Sequence, residues 1–331
     1  YKNGRFDDAE KMAISFTQQF PKHQLSYKIL GATLLRIGRL SDALDAGQIA
    51  VELSPLDAEA HSNLGVIFKS LGKLEDATAS YIQAIKLSPN YTEARVNLSE
   101  ILPNVRFNAS YPQYYPILLN ILTTGNYCRP KALAGSFVSL LKHDPLIKKL
   151  LRENQFSASV QKAESAIGSL DKLKLLHHVV RLCPLPDIQL EEFFVTMRSF
   201  ILMNLKKMEA SPELSYFLST LCLQCFTNEY VYAESDEETK LVDKLEASIT
   251  QTLAKSEQPA TVNVLCLASY RPLHQYNWCQ KLEVLDHLGE VKSRLVEEPH
   301  AERVIEENIP KFGEISDHVS LEVRKQYEES P

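Results

Sequence analysis

The chain has 331 residues, of which 44% are hydrophobic and 24% charged. This composition is typical of a globular protein and excludes a disordered or fibrous one. The longest apolar runs, such as YFLSTLCLQCF at 216–226, are shorter than the roughly 18 residues that a membrane-spanning helix needs. The net charge of −6 argues against nucleic-acid binding, which needs a basic face to neutralise phosphates.

The beginning of the chain and the cysteines suggest a cellular compartment. The first residues, YKNGRFDDAE, do not form the positively charged apolar leader of a secreted protein. Six cysteines are scattered through apolar, helix-like sequence, which is typical of buried thiols in a reducing environment. We therefore expect a cytoplasmic protein.

A 34-residue pattern occupies the first hundred residues. In the unit 58–91, Gly65 stands at position 8, Tyr81 at position 24 and Pro89 at position 32. The matching residues one unit earlier are Leu30, Gly31, Gly38, Ala43, Ala50 and Pro55, and two units earlier Gly4, Ala9 and Pro21. This pattern resembles the tetratricopeptide repeat, in which each unit is a hairpin of two helices. The resemblance implies an all-α fold: a tetratricopeptide-repeat superhelix followed by a non-repeat helical domain.

Spacing also predicts where the repeats depart from the pattern and where they end. Gly47 stands at position 24, where an aromatic residue is usual, so we expect looser packing there. Tyr1 falls at position 12 of its unit, so we expect the array to be truncated at its N-terminal end. Pro103 should stop the last helix early. We assign 1–104 to the repeats, 105–116 to a connector and 117–331 to a helical domain that precedes a missing C-terminal domain.

Beyond the connector the sequence predicts further helices without the 34-residue register. They span 117–124, 130–142, 144–153, 169–182, 187–208, 212–232, 236–255, 260–268, 279–297 and 315–328. Ser235 and Glu238 form the sequence pattern of a capping box at the start of one of them.

The second half resembles tetratricopeptide-repeat proteins that carry a C-terminal S-adenosylmethionine-dependent methyltransferase domain. The matching stretches are LCPLPDIQLEEFF (182–194), LQCFTNEYVYAESDEE (223–238), ASYRPLH (268–274) and SDHVSLEVRKQYEESP (316–331). The resemblance implies S-adenosylmethionine as a cofactor of the full-length protein. This chain contains no Gly-x-Gly, which a Rossmann-like cofactor loop requires, so we expect no cofactor, catalytic residue or methyl transfer in it.

The first helices of such repeats usually line a groove that binds a protein or an extended peptide. Groove positions are occupied by Lys28, Arg36, Glu59, Asn63, Lys69, Glu93 and Asn97. Asn63 and Asn97 share position 6, which resembles the asparagine ladder of O-linked N-acetylglucosamine transferase repeats. An amide can both donate to and accept from a peptide backbone. The plainer interpretation is a pair of solvated polar positions, with Ile29 interrupting the ladder one repeat earlier.

Two further hypotheses about the groove and the whole protein stay open at this stage. A clamp for a C-terminal carboxylate is disfavoured, because Ala32 and Glu93 replace the expected Asn and Lys. The leading function is an interaction scaffold that positions a methyltransferase domain. The alternative is that the full-length protein is itself an enzyme, a methyltransferase or, less well supported, an O-linked N-acetylglucosamine transferase. The oligomeric state is open.

Other chemically notable residues are expected to be structural. Cys222 and Cys225 have the Cys-x-x-Cys spacing that supplies two of the four ligands of a structural zinc site, but the sequence nearby contains no second pair of ligands. His177 and His178 are adjacent on a helix, so they should point in different directions. The pair Glu229-Tyr230 suggests a helix cap, while Arg271, His274 and Trp278 suggest a loop that packs on the acidic tail or contacts the missing domain. We therefore predict no metal site.

Overall fold

The computed structural model describes residues 6–124, 128–153, 158–308 and 322. Within these ranges the regular structure is helical and contains no β-strand, so the predicted all-α class is confirmed. The chain divides into two compact units, Tyr1–Pro272 and Leu273–Pro331, which we treat separately. The described part of the chain contains no helix with both the length and the apolar character of a membrane span.

Two complete helical hairpins, flanked by a single helix on each side, make up the described part of the repeat region. Its helices are α1 (Phe6–Gln19), α2 (Gln24–Arg36), α3 (Leu40–Leu53), α4 (Ala58–Ser70), α5 (Leu74–Leu87) and α6 (Thr92–Ile101). Helices α2, α4 and α6 are the first helices of their units. Gly38 and Gly72 end two of them with φ of +83° and +74°, a conformation that side-chain-bearing residues resist. The early stop before Pro103 is confirmed, since α6 gives way to a 3₁₀ turn at Leu102–Asn104.

The repeats are held together by small residues in close contact with larger ones. Tyr81 is fully buried, and a Cβ added to Gly65 would lie 2.6 Å from its Cε1 atom. Ile67 packs beside Gly47, where an added Cβ would lie 2.9 Å from Cδ1 of Ile67. The looser packing predicted at Gly47 is therefore wrong on this side of the residue, because a side chain of the next hairpin moves into the space.

Nine more α-helices follow among the described residues of the first unit. They are α7 (Tyr115–Thr124), α8 (Pro130–Leu141), α9 (Pro145–Glu153), α10 (Val160–Leu170), α11 (Lys174–Leu182), α12 (Ile188–Asn204), α13 (Pro212–Thr227), α14 (Asp236–Ala254) and α15 (Thr261–Ala268). Ser235 and Glu238 form the predicted capping box, with Oε2 of Glu238 accepting from the Ser235 amide at 2.9 Å. The domain boundary at 105–116 stays a prediction.

Two predicted helices in this unit have wrong limits. The helix predicted at 169–182 is divided, because α10 ends at Leu170 and a turn closes with the Leu173 amide donating to its carbonyl at 2.8 Å. The helix predicted at 212–232 ends at Thr227, because Glu229 and Tyr230 adopt φ of +57° and +58°. Apolar periodicity continues through both turns, so it does not reveal them.

The second unit is built from short turns of helix. It contains 3₁₀ turns at Leu273–Gln275, Cys279–Lys281 and Glu283–Leu285, then α16 (Gly289–Lys292), a π-helical segment at Ser293–Glu297 and α17 (Glu298–Asn308). The predicted continuous helix 279–297 is therefore wrong. Cys279, Leu282 and Leu285 are buried at a spacing of three residues, which suits the three-residue turn of a 3₁₀ helix. Apart from residue 322, the helix predicted at 315–328 and the stretch 316–331 lie outside the described residues.

Candidate peptide-binding groove

Two ion pairs with the same spacing connect the first helices of successive repeats. Nζ of Lys28 on α2 lies 2.5 Å from Oε2 of Glu59 on α4, and Nζ of Lys69 on α4 lies 2.7 Å from Oε2 of Glu100 on α6. Each pair joins residues 31 positions apart. Equivalent residues of successive repeats are 34 positions apart, whereas the partners of these ion pairs are only 31 positions apart. The difference indicates that neighbouring first helices, which run in the same direction, are offset by three residues, or about 4.5 Å along the axis.

Lys28 belongs to a compact polar cluster at the start of α4. Oδ1 of Asp57 caps α4 by accepting from the Glu59 and Ala60 amides. Its Oδ2 accepts from Nε2 of Gln24 at 2.6 Å and from Nζ of Lys28 at 3.0 Å. Burial opposes ionisation of Asp57, but the hydrogen bonds from Gln24 and Lys28 outweigh it and lower its pKa to about 2. The charge of Lys28 is thus already balanced by protein carboxylates, which further disfavours its use as a carboxylate clamp.

A cavity of about 170 Å³ brings three of the seven predicted groove residues together. Lys28, Arg36 and Asn63 line it, along with small residues of α2 and α3. Arg36 is exposed and Asn63 is half-buried. The sequence predicted the three residues as groove positions but gave no sign that they surround a cavity.

The other four predicted residues lie outside this cavity. Glu59 and Lys69 form the two inter-repeat ion pairs. Glu93 is exposed on α6 and accepts from the Tyr91 hydroxyl at 3.2 Å. Asn97, like Asn63, is half-buried. From the three-residue offset and the typical separation of about 9 Å between packed helices, we expect the two asparagines to lie roughly 10 Å apart.

A larger apolar groove, which sequence reasoning missed, lies between α1 and α2. Its volume is about 700 Å³, and its lining includes Met12, Phe16, Leu25 and Ile29. These side chains are between 42% and 61% exposed. Ile29, which interrupts the asparagine ladder, therefore belongs to a different surface. The available signal was the placement of large apolar residues at helical positions that are alanine or polar in the later repeats.

Comparison with known families supports the assignment of the repeat region. Two models described as the tetratricopeptide repeat match residues 1–58 and 58–91. No curated protein matches the chain. Residues 1–91 are thus tetratricopeptide repeats, a class of stacked helical hairpins whose concave surfaces generally bind other proteins.

Outside the repeats, Arg198 is the centre of a buried polar network. It is 2% exposed, and its guanidinium carbon lies 4.2 Å from the ring centroid of Tyr270. Nη2 donates to the Ala233 carbonyl at 3.0 Å and Nη1 to the Ser269 carbonyl at 3.4 Å. A buried arginine thereby fixes two loops through their backbones.

Three of the stretches that resemble methyltransferase-linked proteins meet around this network. Arg271 pairs with Glu234, with Nη2 lying 3.0 Å from Oε2. The Tyr270 hydroxyl donates to Oε1 of Glu238 at 2.9 Å. Burial, together with the negative charge of Glu191 in the stretch 182–194, raises the pKa of Tyr232. Burial opposes ionisation of Glu238, but the hydrogen bonds it accepts outweigh burial and lower its pKa.

Two pairs of possible metal ligands have structural roles. Cys222 and Cys225 are fully buried, and burial raises the pKa of Cys225 to about 11, as expected for inert core thiols. His177 is buried and bonds to Leu170 and Thr220, while His178 is half-buried and bonds to the Lys174 carbonyl, which confirms their different directions. No group of three or more potential metal ligands occurs in the described ranges.

The remaining candidates are also accounted for by local structure. The Tyr230 amide donates to the Cys225 carbonyl at 2.8 Å, which closes the end of α13 and favours the capping role of Glu229-Tyr230. Trp278 stacks on Tyr276 with ring centroids 4.4 Å apart. Burial and the charge of Arg303 lower the pKa of His274, and the charge of Glu302 opposes this; both charged residues belong to α17. The acidic tail itself lies outside the described residues.

Proposed function

We propose that the repeats bind an extended protein segment along α2, α4 and α6, with the amides of Asn63 and Asn97 pairing with its backbone. The observation that carries this proposal is the placement of the two asparagines at the same position of successive first helices, both half-buried. A half-buried amide is partly shielded from competing water and retains polar atoms for a ligand.

The spacing of the two asparagines suits an extended chain. Their estimated separation of about 10 Å is close to the roughly 9 Å spanned by three residues of a polyproline-II chain, which rises about 3.1 Å per residue. Because that conformation has three residues per turn, residues three apart face the same side and could each pair with one asparagine. Recognition through the backbone would tolerate varied side chains in the ligand.

Substitution of the two asparagines tests the groove. A protein captured by the wild-type chain is reduced to its binding segment, and its affinity is measured for Asn63→Ala, Asn97→Ala and the double variant. Each single change should weaken binding about fivefold to tenfold, the effect of losing a net hydrogen bond of roughly 1 kcal/mol. Asn263→Ala, which changes a half-buried helical asparagine outside the repeats, is the control. Unchanged affinity of the double variant for the segment would refute the proposal.

We propose further that the helices after the repeats support a methyltransferase domain in the full-length protein. The resemblance of 182–194, 223–238 and 268–274 to methyltransferase-linked proteins supports this, as does their meeting around the Arg198 network. The chain described here should not bind S-adenosylmethionine in isothermal titration. A longer chain with a strand and a Gly-rich loop after residue 331 should bind it, whereas glycosyltransferase sequence there would favour the rival enzyme.

We propose the cytoplasm as the site of this interaction. All six cysteines are unpaired, and five of them are buried, which suits a reducing compartment. Imaging of a fluorescent fusion in cells tests this, and accumulation in the secretory pathway would contradict it.

A further inference from the structure

The cavity beside Asn63 is lined by the two glycines that correspond to Gly65 and Tyr81 of the later repeat. In the later repeat, Tyr81 at position 24 packs on Gly65 at position 8. The residues at those positions one repeat earlier are Gly47 and Gly31, and both line the cavity of about 170 Å³. With glycine at both positions, α2 and α3 approach closely and Ile67 packs against Gly47, and the cavity is the space that remains beside these contacts.

The walls of this cavity are apolar and its rim is polar. Ala32, Ala50 and Ile67 contribute aliphatic surface, whereas Asn63 and Arg36 contribute polar groups. Ala50 and Ile67 are buried, while Arg36 is the exposed member of the polar rim. An apolar recess beside a ladder amide is suited to a side chain that enters from a bound backbone.

We infer that this cavity binds one apolar side chain of leucine or phenylalanine size from the segment in the groove, next to an acidic residue of that segment. The inference rests on the proposed function and adds a sequence preference to it. A cavity of about 150 Å³ accepts benzene, so the space is large enough for a phenyl or isobutyl group. Small polar side chains would leave it poorly filled.

Charge at the rim supports the acidic neighbour. Lys28 already forms ion pairs with Asp57 and Glu59. Arg36 lines the same cavity and has no ion pair among the residues that the structure describes. Its guanidinium can therefore hold a carboxylate in a two-point hydrogen-bonded arrangement.

Selection from a displayed library of random peptides tests the inference. Peptides that bind wild-type chain should be enriched in Leu or Phe beside Asp or Glu. Ala32→Leu places a larger side chain at the cavity wall and should lower the affinity of these peptides at least tenfold. Arg36→Gln should remove the preference for the acidic residue. Ala132→Leu, the same change at an exposed position of α8, is the control and should leave affinity unchanged.

A second measurement does not depend on the folding of the Ala32→Leu variant. Benzene is titrated into wild-type chain, and the Ile67 methyl resonances are followed by NMR. We expect chemical-shift changes that saturate as benzene is added. No change in the Ile67 resonances up to the solubility limit of benzene would overturn the inference.

The outcomes separate this inference from the proposed function. Selected peptides that depend on Asn63 and Asn97 but show no apolar preference, or keep their affinity for folded Ala32→Leu chain, would overturn the cavity and leave the groove intact. Failure to select any peptide that depends on the asparagines would overturn both.

Discussion

The ring of Tyr81 lies against the α-carbon of Gly65, so close that a methyl group on that carbon would be 2.6 Å from Cε1 of the tyrosine. The two residues belong to the two helices of one hairpin. Their contact sets the separation of α4 and α5 and explains why the pattern requires a small residue at position 8.

Gly65→Ala should therefore destabilise the repeats although alanine favours helices. Overpacking costs about 1–3 kcal/mol, and the gain in helix propensity offsets about 0.5–1 kcal/mol, which leaves a net loss of at most about 2.5 kcal/mol, centred near 1 kcal/mol, in the free energy of unfolding. Urea denaturation measures it. Gly168→Ala is the matched control, because an added Cβ there meets no atom within 4 Å and should stabilise the chain. Equal effects of the two changes would contradict the close contact.

Tyr81→Phe should be neutral or stabilising. The Tyr81 hydroxyl is buried without a hydrogen-bond partner among the described residues, and burial raises its pKa. Removing this hydroxyl removes a buried polar group that has no partner, so the free energy of unfolding should rise by up to about 1 kcal/mol. The Tyr115 hydroxyl, in contrast, donates to Oδ2 of Asp144 at 2.8 Å, so Tyr115→Phe should cost about 1–2 kcal/mol. A loss at Tyr81 as large as that at Tyr115, measured by urea denaturation, would be inconsistent with an unpaired hydroxyl.

The sequence predicted the hairpins of the repeats well because their determinants are local. Gly38, Gly72 and Pro103 each act on the backbone within a few residues, and the structure places turns at all three. Groove positions followed from the same spacing. The cavity could not be predicted in this way, because its size depends on how closely Ile67 of the next hairpin packs against Gly47.

Helix limits in the later region were less predictable because they depend on tertiary contacts. Apolar periodicity alone does not distinguish an α-helix from the 3₁₀ turns that bury Cys279, Leu282 and Leu285. The Arg198 network was also hidden, since it joins Tyr270 to backbone carbonyls and carboxylates from distant parts of the chain.

The repeats should lose stability in acid as Asp57 becomes protonated. Its folded-state pKa of about 2 lies below the ordinary value of 3.8, so its contribution is fully present above about pH 4 and is lost as the pH falls through 2. Asp57→Asn should flatten the dependence of stability on pH in this window. At pH 7, Asp57→Ala should cost more than the roughly 1 kcal/mol of a lost helix cap, because Lys28 also loses a partner. Ser159→Ala removes only the cap of α10 and is the control.

His177 should produce a separate pH dependence at milder acidity. Nε2 lies 3.1 Å from the Leu170 carbonyl and Nδ1 lies 2.7 Å from the Thr220 hydroxyl. A neutral ring that donates from Nε2 and accepts at Nδ1 satisfies both contacts. Burial and the nearby charge of Arg181 lower the pKa of His177 to about 4 from its ordinary 6.5.

Between about pH 6.5 and pH 4, the unfolded chain binds a proton at His177 that the folded chain does not. The free energy of unfolding should therefore be greatest above pH 6.5 and fall until about pH 4, below which this histidine causes no further loss. Urea titrations at a series of pH values measure the slope, and His177→Gln should reduce it. His178→Gln changes the half-buried neighbour, whose ring bonds to the Lys174 carbonyl of its own helix, and should keep the wild-type slope. If the two variants behaved alike, a buried neutral His177 would be ruled out.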